Sequence, residues 1–177
     1  MRYNSHNTTK PSIPNGYKIA REPRMQVEKI ENKEDYIDLL LEADPSKDMI
    51  NKYLNDSDVY ALKKGDELIS IAVILPISRK TLELKNIVTT EKYRNKGYAK
   101  TLLKSLCGNY KQKYDRMLVG TTENNIPFYV KQGFDKYEKT IKNFFIDNYN
   151  EEIKDGDLIC TDLIYYSKEL KKKVKDK

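Results

Sequence analysis

Apolar and polar residues alternate over Met25-Gln-Val-Glu-Lys-Ile-Glu31, the period of a half-buried strand. Asn32 is then placed to cap a helix whose apolar face is Tyr36, Leu39 and Leu40. Pro45-Ser-Lys-Asp opens a second short helix through Met49, Ile50, Tyr53 and Leu54. A hairpin follows: Val59-Tyr-Ala-Leu62, a turn at Lys64-Gly65-Asp66, then a strand from Glu67 to Leu75. Its run Leu68-Ile-Ser-Ile-Ala-Val-Ile-Leu75 suits a strand buried on both faces. Thr81 to Thr90 reads as a strand, Gly97 to Tyr110 as a helix and Asp115 to Gly120 as another strand. That order implies a parallel pair with a right-handed crossover. A short helix is expected over 126–132, ahead of Gly133. Two more strands, roughly 135–145 and 158–167, complete a mixed α/β (α+β) fold and flank an acidic loop.

The pattern defines three stretches of the 177 residues. Residues 1–24, rich in Asn, Ser, Thr, Pro and Lys, read as a loosely attached extension. One domain spans 25–168, and a basic tail covers 169–177. The formal charge of +6 resides in the two ends. Residues 1–24 hold five basic and one acidic residue, residues 169–177 five and two, and the domain 23 against 24. A nucleic-acid reader carries its basic surface on the folded body, so no nucleic-acid partner is expected. The longest apolar stretch, Ile69 to Ile77, is broken by Ser70 and Pro76 and is too short for a membrane span. With no apolar run in the first 24 residues, the expected location is cytoplasmic, without a membrane partner. The Lys, Asn and Ile bias hints at a bacterial source.

One histidine, His6, and two cysteines, Cys107 and Cys160, leave no material for a histidine triad or a four-ligand zinc site. No metal is expected. The chemistry left to an enzyme is that of carboxylates, tyrosine, cysteine or a cofactor. Both cysteines read as packing residues.

The turn Arg94-Asn-Lys-Gly97-Tyr-Ala99 joins the expected strand to the expected helix. Glycine lets backbone approach an anion closely, and the free N–H groups of a helix start attract a pyrophosphate. Further on stands Asn125-Ile-Pro-Phe-Tyr129-Val-Lys-Gln-Gly133-Phe134, with Tyr129 placed 32 residues after Gly97. The R-x-x-G-x-A turn and the F-Y-x-x-x-G-F segment at this separation resemble the GNAT superfamily of N-acetyltransferases. The close match spans about 80–135, and the element order extends it to about 25–168.

The resemblance implies a mostly antiparallel sheet of about six to seven strands, flanked by about four helices. Its parallel central pair splays to admit acetyl-CoA, the acetyl donor. The strand groups facing the pantetheine amides would belong to Ile87, Val88 and Thr89. The pyrophosphate would lie over Arg94, Asn95, Lys96, Gly97, Tyr98 and Ala99, with Lys100 nearby. Tyr129 matches the general acid that protonates the departing thiolate. Glu83, 11 residues before Arg94, stands where several members carry a glutamate base; a water relay is the alternative. Period-two alternation would put Glu83 on one face with Lys85, Ile87 and Thr89, opposite Leu82, Leu84 and Val88. Asn125, or Asn124 beside it, would help align the cofactor.

The family builds its acceptor pocket from the first two helices and the last hairpin. Here these offer Glu42, Asp44, Asp48, Phe144, Phe145, Tyr149, Glu151, Glu152, Asp155 and Asp157. Carboxylates beside aromatic faces suit an ammonium-bearing acceptor, either a small molecule or a peptide. The aromatic hairpin end would also serve as a homodimer contact. The implied function is acetyl transfer to a primary amine by direct attack in a ternary complex. The alternative is a non-catalytic acyl-CoA-binding module of the same fold.

Overall fold

The computed structural model describes residues 23–171. The proposed extension up to residue 22, and residues 172–177 of the basic tail, lie outside the described residues. Seven strands form one sheet in the order β1 (Met25–Ile30), β2 (Asp58–Lys64), β3 (Glu67–Pro76), β4 (Thr81–Thr89), β5 (Arg116–Thr121), β9 (Leu163–Glu169) and β6 (Lys136–Ile141). Every neighbouring pair in it is antiparallel except β4–β5. A two-stranded ribbon, β7 (Lys154–Asp155) with β8 (Leu158–Ile159), stands apart. The mixed, mostly antiparallel architecture expected from the sequence is therefore the one observed.

Helix α3 (Tyr98–Tyr110) covers one face of the sheet. Its Leu102, Leu103, Leu106 and Cys107 pack on Ile69, Ala72, Ile74, Leu82, Leu84 and Met117. Each fully buried leucine contributes roughly 1.5–3 kcal/mol, which anchors the start of α3 at the end of β4. The opposite face is covered by α1 (Ile37–Leu40) and α2 (Lys47–Leu54), whose Leu40, Ile50, Tyr53 and Leu54 pack on Val59, Ala61, Ile71, Val73 and Val88. Ser46 caps α2 by accepting from the Met49 N–H at 3.3 Å. At the other end of α2, the Lys33 ammonium donates to the carbonyls of Leu54, Asn55 and Ser57.

Four expectations need correction. Asn32 makes no side-chain cap, because its φ/ψ of −86°/76° is not extended; a 3-10 turn at Lys33–Tyr36 leads into an α1 of only four residues. The strand expected to reach residue 145 stops at Ile141. There Asn143 takes a φ of 56°, the Asp162 carboxylate accepts from its N–H and from Lys142, and α5 (Phe144–Asn148) begins. The strand expected over 158–167 is divided into β8 and β9 by Cys160–Asp162, and β9 runs on to Glu169. Beyond it, Leu170 donates its N–H to the Asp115 carbonyl at 2.7 Å.

The fourth correction bears on the site. The β3–β4 register slips between Val73↔Asn86 and Ile74↔Leu84, leaving Lys85 as the extra residue of a β-bulge. One added residue reverses the alternation beyond it. Glu83 pairs with Leu75, which packs on the α1–α2 side, and Val88 belongs to that same cluster. Ile87 packs instead with Leu82 and Leu84 on the α3 side. Glu83 and Val88 thus share a face, and Ile87 lies on the other.

Candidate active site

Strand β4 touches β5 along only part of its length. Thr81, Leu82, Glu83 and Leu84 pair with Arg116, Met117, Leu118 and Val119, after which β4 continues alone on that side to Thr89. Its other edge stays bonded to β3 through Thr89↔Ser70. Beyond Leu84 the β4 edge that faces β5 is therefore unpaired with that strand, although Arg94 holds the Thr89 carbonyl. An extended amide-bearing ligand can pair with such an edge as a further strand would. A cavity of about 330 Å³ adjoins this edge, lined by Glu42, Ala43, Ile87, Val88, Thr89, Arg94 and Asn95.

The chain leaves β4 through a 3-10 turn at Glu91–Tyr93 and enters α3 at Gly97. Gly97 has a φ of 81°, a left-handed conformation that side-chain-bearing residues adopt at a cost, and a Cβ there would meet nothing within 4 Å. The first intrahelical bond of α3 is Thr101 N–H to the Gly97 carbonyl at 3.0 Å, so the N–H groups of Tyr98, Ala99 and Lys100 have no helical acceptor. No acidic residue stands in the first turn of this 13-residue helix. Arg94 pairs with the Glu42 carboxylate and donates Nε–H to the Thr89 carbonyl at 3.2 Å. Lys96 donates to the Lys92 carbonyl at 2.9 Å. Both cations therefore border the turn while engaged with the chain itself.

Helix α4 (Ile126–Lys131) carries Tyr129. Its half-buried ring meets Phe128 and Phe134 edge-on, with centroids 5.0 and 5.9 Å away. The hydroxyl has no hydrogen-bond partner among the described residues, and burial pushes the phenol up to about 12. Asn125 donates its amide to Thr122 Oγ1 at 3.0 Å and to Asp155 Oδ2 at 2.7 Å, while Asn124 donates to the Asp155 carbonyl. Both asparagines anchor the β7–β8 ribbon here.

On the α1–α2 side a polar cluster is enclosed. Glu83 is buried, and its Oε1 accepts from Lys85 Nζ at 2.8 Å and from the Tyr165 hydroxyl at 3.1 Å. Lys85 also stands over the Tyr53 ring, 5.3 Å from its centroid. Asp44 accepts from the Tyr149 hydroxyl at 3.0 Å, which ties the α1–α2 connection to the segment after α5. Asn86 donates to the Leu40 carbonyl at 3.1 Å and to the Tyr53 hydroxyl at 3.4 Å. Of the acceptor-side residues expected from sequence, the structure joins Asp44 with Tyr149 and Glu42 with Arg94. Asp155 serves the ribbon, and Asp48 is exposed. Both cysteines are buried with their thiols pushed up by burial, as packing residues would be.

The family model for the acetyltransferase (GNAT) family matches residues 19–134. The uncharacterized N-acetyltransferase YvbK of Bacillus subtilis (strain 168) is 33% identical over 138 residues, covering 76% of this chain and 88% of that protein. The chain belongs to the GNAT acetyltransferase family. The crystal structure of a GNAT family acetyltransferase from Elizabethkingia anophelis with acetyl-CoA bound is 36% identical, with a TM-score of 0.75 over 82% of this chain and 97% of that one. A Bacillus subtilis acetyltransferase in complex with CoA is 30% identical, with a TM-score of 0.71 over 82% and 99%. This GNAT protein is accordingly an acyltransferase that draws its acetyl group from acetyl-CoA. The open β4 edge and the uncrowded left-handed Gly97 fit that donor. No helix among the described residues is long and apolar enough to cross a membrane.

The sequence puts Tyr53 on a helix face and Lys85 on the strand near Glu83, but it marks neither of them, nor Tyr165, as a site residue of this GNAT chain. Strict alternation gave no sign of the bulge, and Tyr165 reads only as one more apolar position on the inner face of β9. The buried cluster also has a measurable pH signature. Burial raises the Asp44 carboxyl above its ordinary 3.8, outweighing the hydrogen bonds from Tyr149 and Ser46. A raised folded-state value means stability fully present below 3.8 and lost as pH rises through the folded value. Asp44→Asn keeps an acceptor for Tyr149 without the charge. Thermal unfolding from pH 4 to 8 should show the variant gaining on the unsubstituted protein as pH rises, with the advantage shrinking toward pH 4. A difference independent of pH would contradict a half-buried, titrating Asp44.

Proposed function

We propose that this protein transfers acetyl from acetyl-CoA to a primary amine, of a small molecule or a peptide, by direct attack in a ternary complex. The observation that carries the reading is the open edge of β4 running directly into the Gly97 turn: one continuous track for pantetheine and pyrophosphate. Backbone of Ile87, Val88 and Thr89 would bind the first. The turn from Arg94 through Asn95 and Lys96 to Gly97, followed by Tyr98, Ala99 and Lys100, would bind the second.

The acetyl thioester supplies an electrophilic carbonyl carbon and a thiolate leaving group. The amine nitrogen forms the N–C bond as the C–S bond breaks. Glu83, or a water beside it, takes the amine proton, and the Tyr129 hydroxyl gives a proton to the sulfur. A backbone N–H of the open β4 edge stabilises the oxyanion. Direct attack is favoured over an acyl-enzyme because both thiols are buried and shifted away from the thiolate. Tyr53, Tyr149 and Asp44 line the side where aromatic faces and a carboxylate suit a cationic acceptor.

The test is CoA-thiol release from acetyl-CoA with spermidine, tyramine, L-lysine, glucosamine and an Ala-Lys-Ala-Ala peptide. Saturable amine-dependent release, with initial-rate lines that intersect, is expected. Acetyl-CoA binding without release by any amine would favour the non-catalytic module. Parallel lines would replace the ternary complex by an acyl-enzyme.

A further inference from the structure

Tyr165 and Glu83 stand on strands that are not neighbours, since β5 lies between β4 and β9. Adjacent strands are about 4.8 Å apart, so a tyrosine can bridge this gap only by passing over the middle strand. It does so at Gly120, its register partner on β5. A Cβ on Gly120 would lie 3.1 Å from Tyr165 Cζ and 3.2 Å from both Leu163 methyl carbons. Gly120 is not among the glycines with positive φ, so its backbone does not require glycine. A side chain there would crowd the Tyr165 ring and Leu163 and push them by a few tenths of an ångström.

We propose that Tyr165, admitted across β5 by Gly120, is a positioning residue that, with Lys85, occupies Oε1 of Glu83 and leaves Oε2 to the acceptor amine. The inference rests on the reading of Glu83 as the base. A free carboxylate has two equivalent oxygens. Two donors on one of them, at 2.8 and 3.1 Å, remove that equivalence. Oε2 has no partner among the described residues. The only fully buried unpartnered side-chain atom found there is Asn86 Oδ1, so Oε2 keeps a path to solvent. Tyr165 is a durable donor, since burial and the adjacent Glu83 charge push its phenol well above the ordinary tyrosine range. Lys139 from β6 covers the ring, 5.0 Å from its centroid. The charged and titratable groups around the carboxylate are thus Lys85 on β4, Tyr165 on β9, Lys139 over that ring, and Tyr53 and Asp44 from the α1–α2 side.

The experiment uses the full chain labelled with carboxylate-13C glutamate, the Glu83 resonance being assigned by its loss in Glu83→Gln. Tyr165→Phe and Gly120→Ala are both expected to displace that resonance at fixed pH, with acetyl-CoA affinity kept within about twofold. With the best amine of the panel above, each should lower kcat about 10–100-fold and leave the acetyl-CoA KM unchanged. The double variant should be no worse than the worse single one, because both changes remove one contact. An unmoved resonance in Tyr165→Phe overturns the proposal, whatever becomes of Gly120→Ala. Full kcat in Tyr165→Phe beside a disabled Glu83→Gln also overturns it and leaves the base assignment standing. Full kcat in Glu83→Gln removes the base reading and this inference with it. The amine-dependent acetyl transfer itself would stand.

Discussion

Gly97→Glu is expected to eliminate detectable acetyl-CoA binding by calorimetric titration, while the protein remains folded. Three physical effects act together. Gly97 sits at a φ of 81°, where an L side chain costs about 1–2 kcal/mol. The unbonded N–H groups of Tyr98, Ala99 and Lys100 follow directly, and a helix N-terminus of this kind is worth most when anion and amide can touch. A glutamate adds bulk at the point of approach and a charge of the wrong sign. Gly97→Ala separates these effects, since it brings only the backbone cost. Because a Cβ meets nothing within 4 Å, the alanine variant should lose about 1–2 kcal/mol of stability and keep most of the affinity. Unchanged affinity in Gly97→Glu would show that the turn is not where the pyrophosphate lies. Arg94 and Lys96 would then keep the contacts to Glu42, Thr89, Lys92 and the Tyr93 ring seen here.

The proposed donor side of this site was legible in the sequence because it is made of backbone. A turn that needs glycine, a helix that follows it and a strand ahead of it are local features, and each leaves a local mark. The proposed acceptor side was not legible to the same degree, because it is made by register. A single extra residue at Lys85 moved Ile87 to the far face and Val88 to the face of Glu83, and no periodicity in residues 81–89 announces it. The Phe144–Phe145 pair has strand propensity, yet it begins a helix because Asp162, 18 residues later, binds the Asn143 N–H and the Lys142 ammonium. Tyr165 reaches Glu83 across 82 residues of sequence. Gly120 was the one available clue to that contact, since glycine inside a strand marks a close approach. Reading it required knowing which strand lies beside β5.

Tyr129→Phe should lower kcat by about 10²–10⁴-fold, the range of a lost acid–base group, with acetyl-CoA affinity within about twofold of the unsubstituted protein. The substitution keeps the ring, so the edge-on contacts to Phe128 and Phe134 persist. It removes a hydroxyl with no hydrogen-bond partner among the described residues, so no buried group is left orphaned and stability should change by no more than about 0.5 kcal/mol. Kinetics and folding are thereby separable in a single variant. Burial holds the phenol protonated up to about pH 12, so it remains a donor across any practical assay range. The sign follows: activity that needs this proton is present below that value and lost above it. An alkaline fall in rate near pH 8 or 9 would have to come from another group, and it should persist in the phenylalanine variant at its lower level. Retention of full kcat by Tyr129→Phe would remove the residue from the mechanism and leave the departing thiolate to be protonated by water.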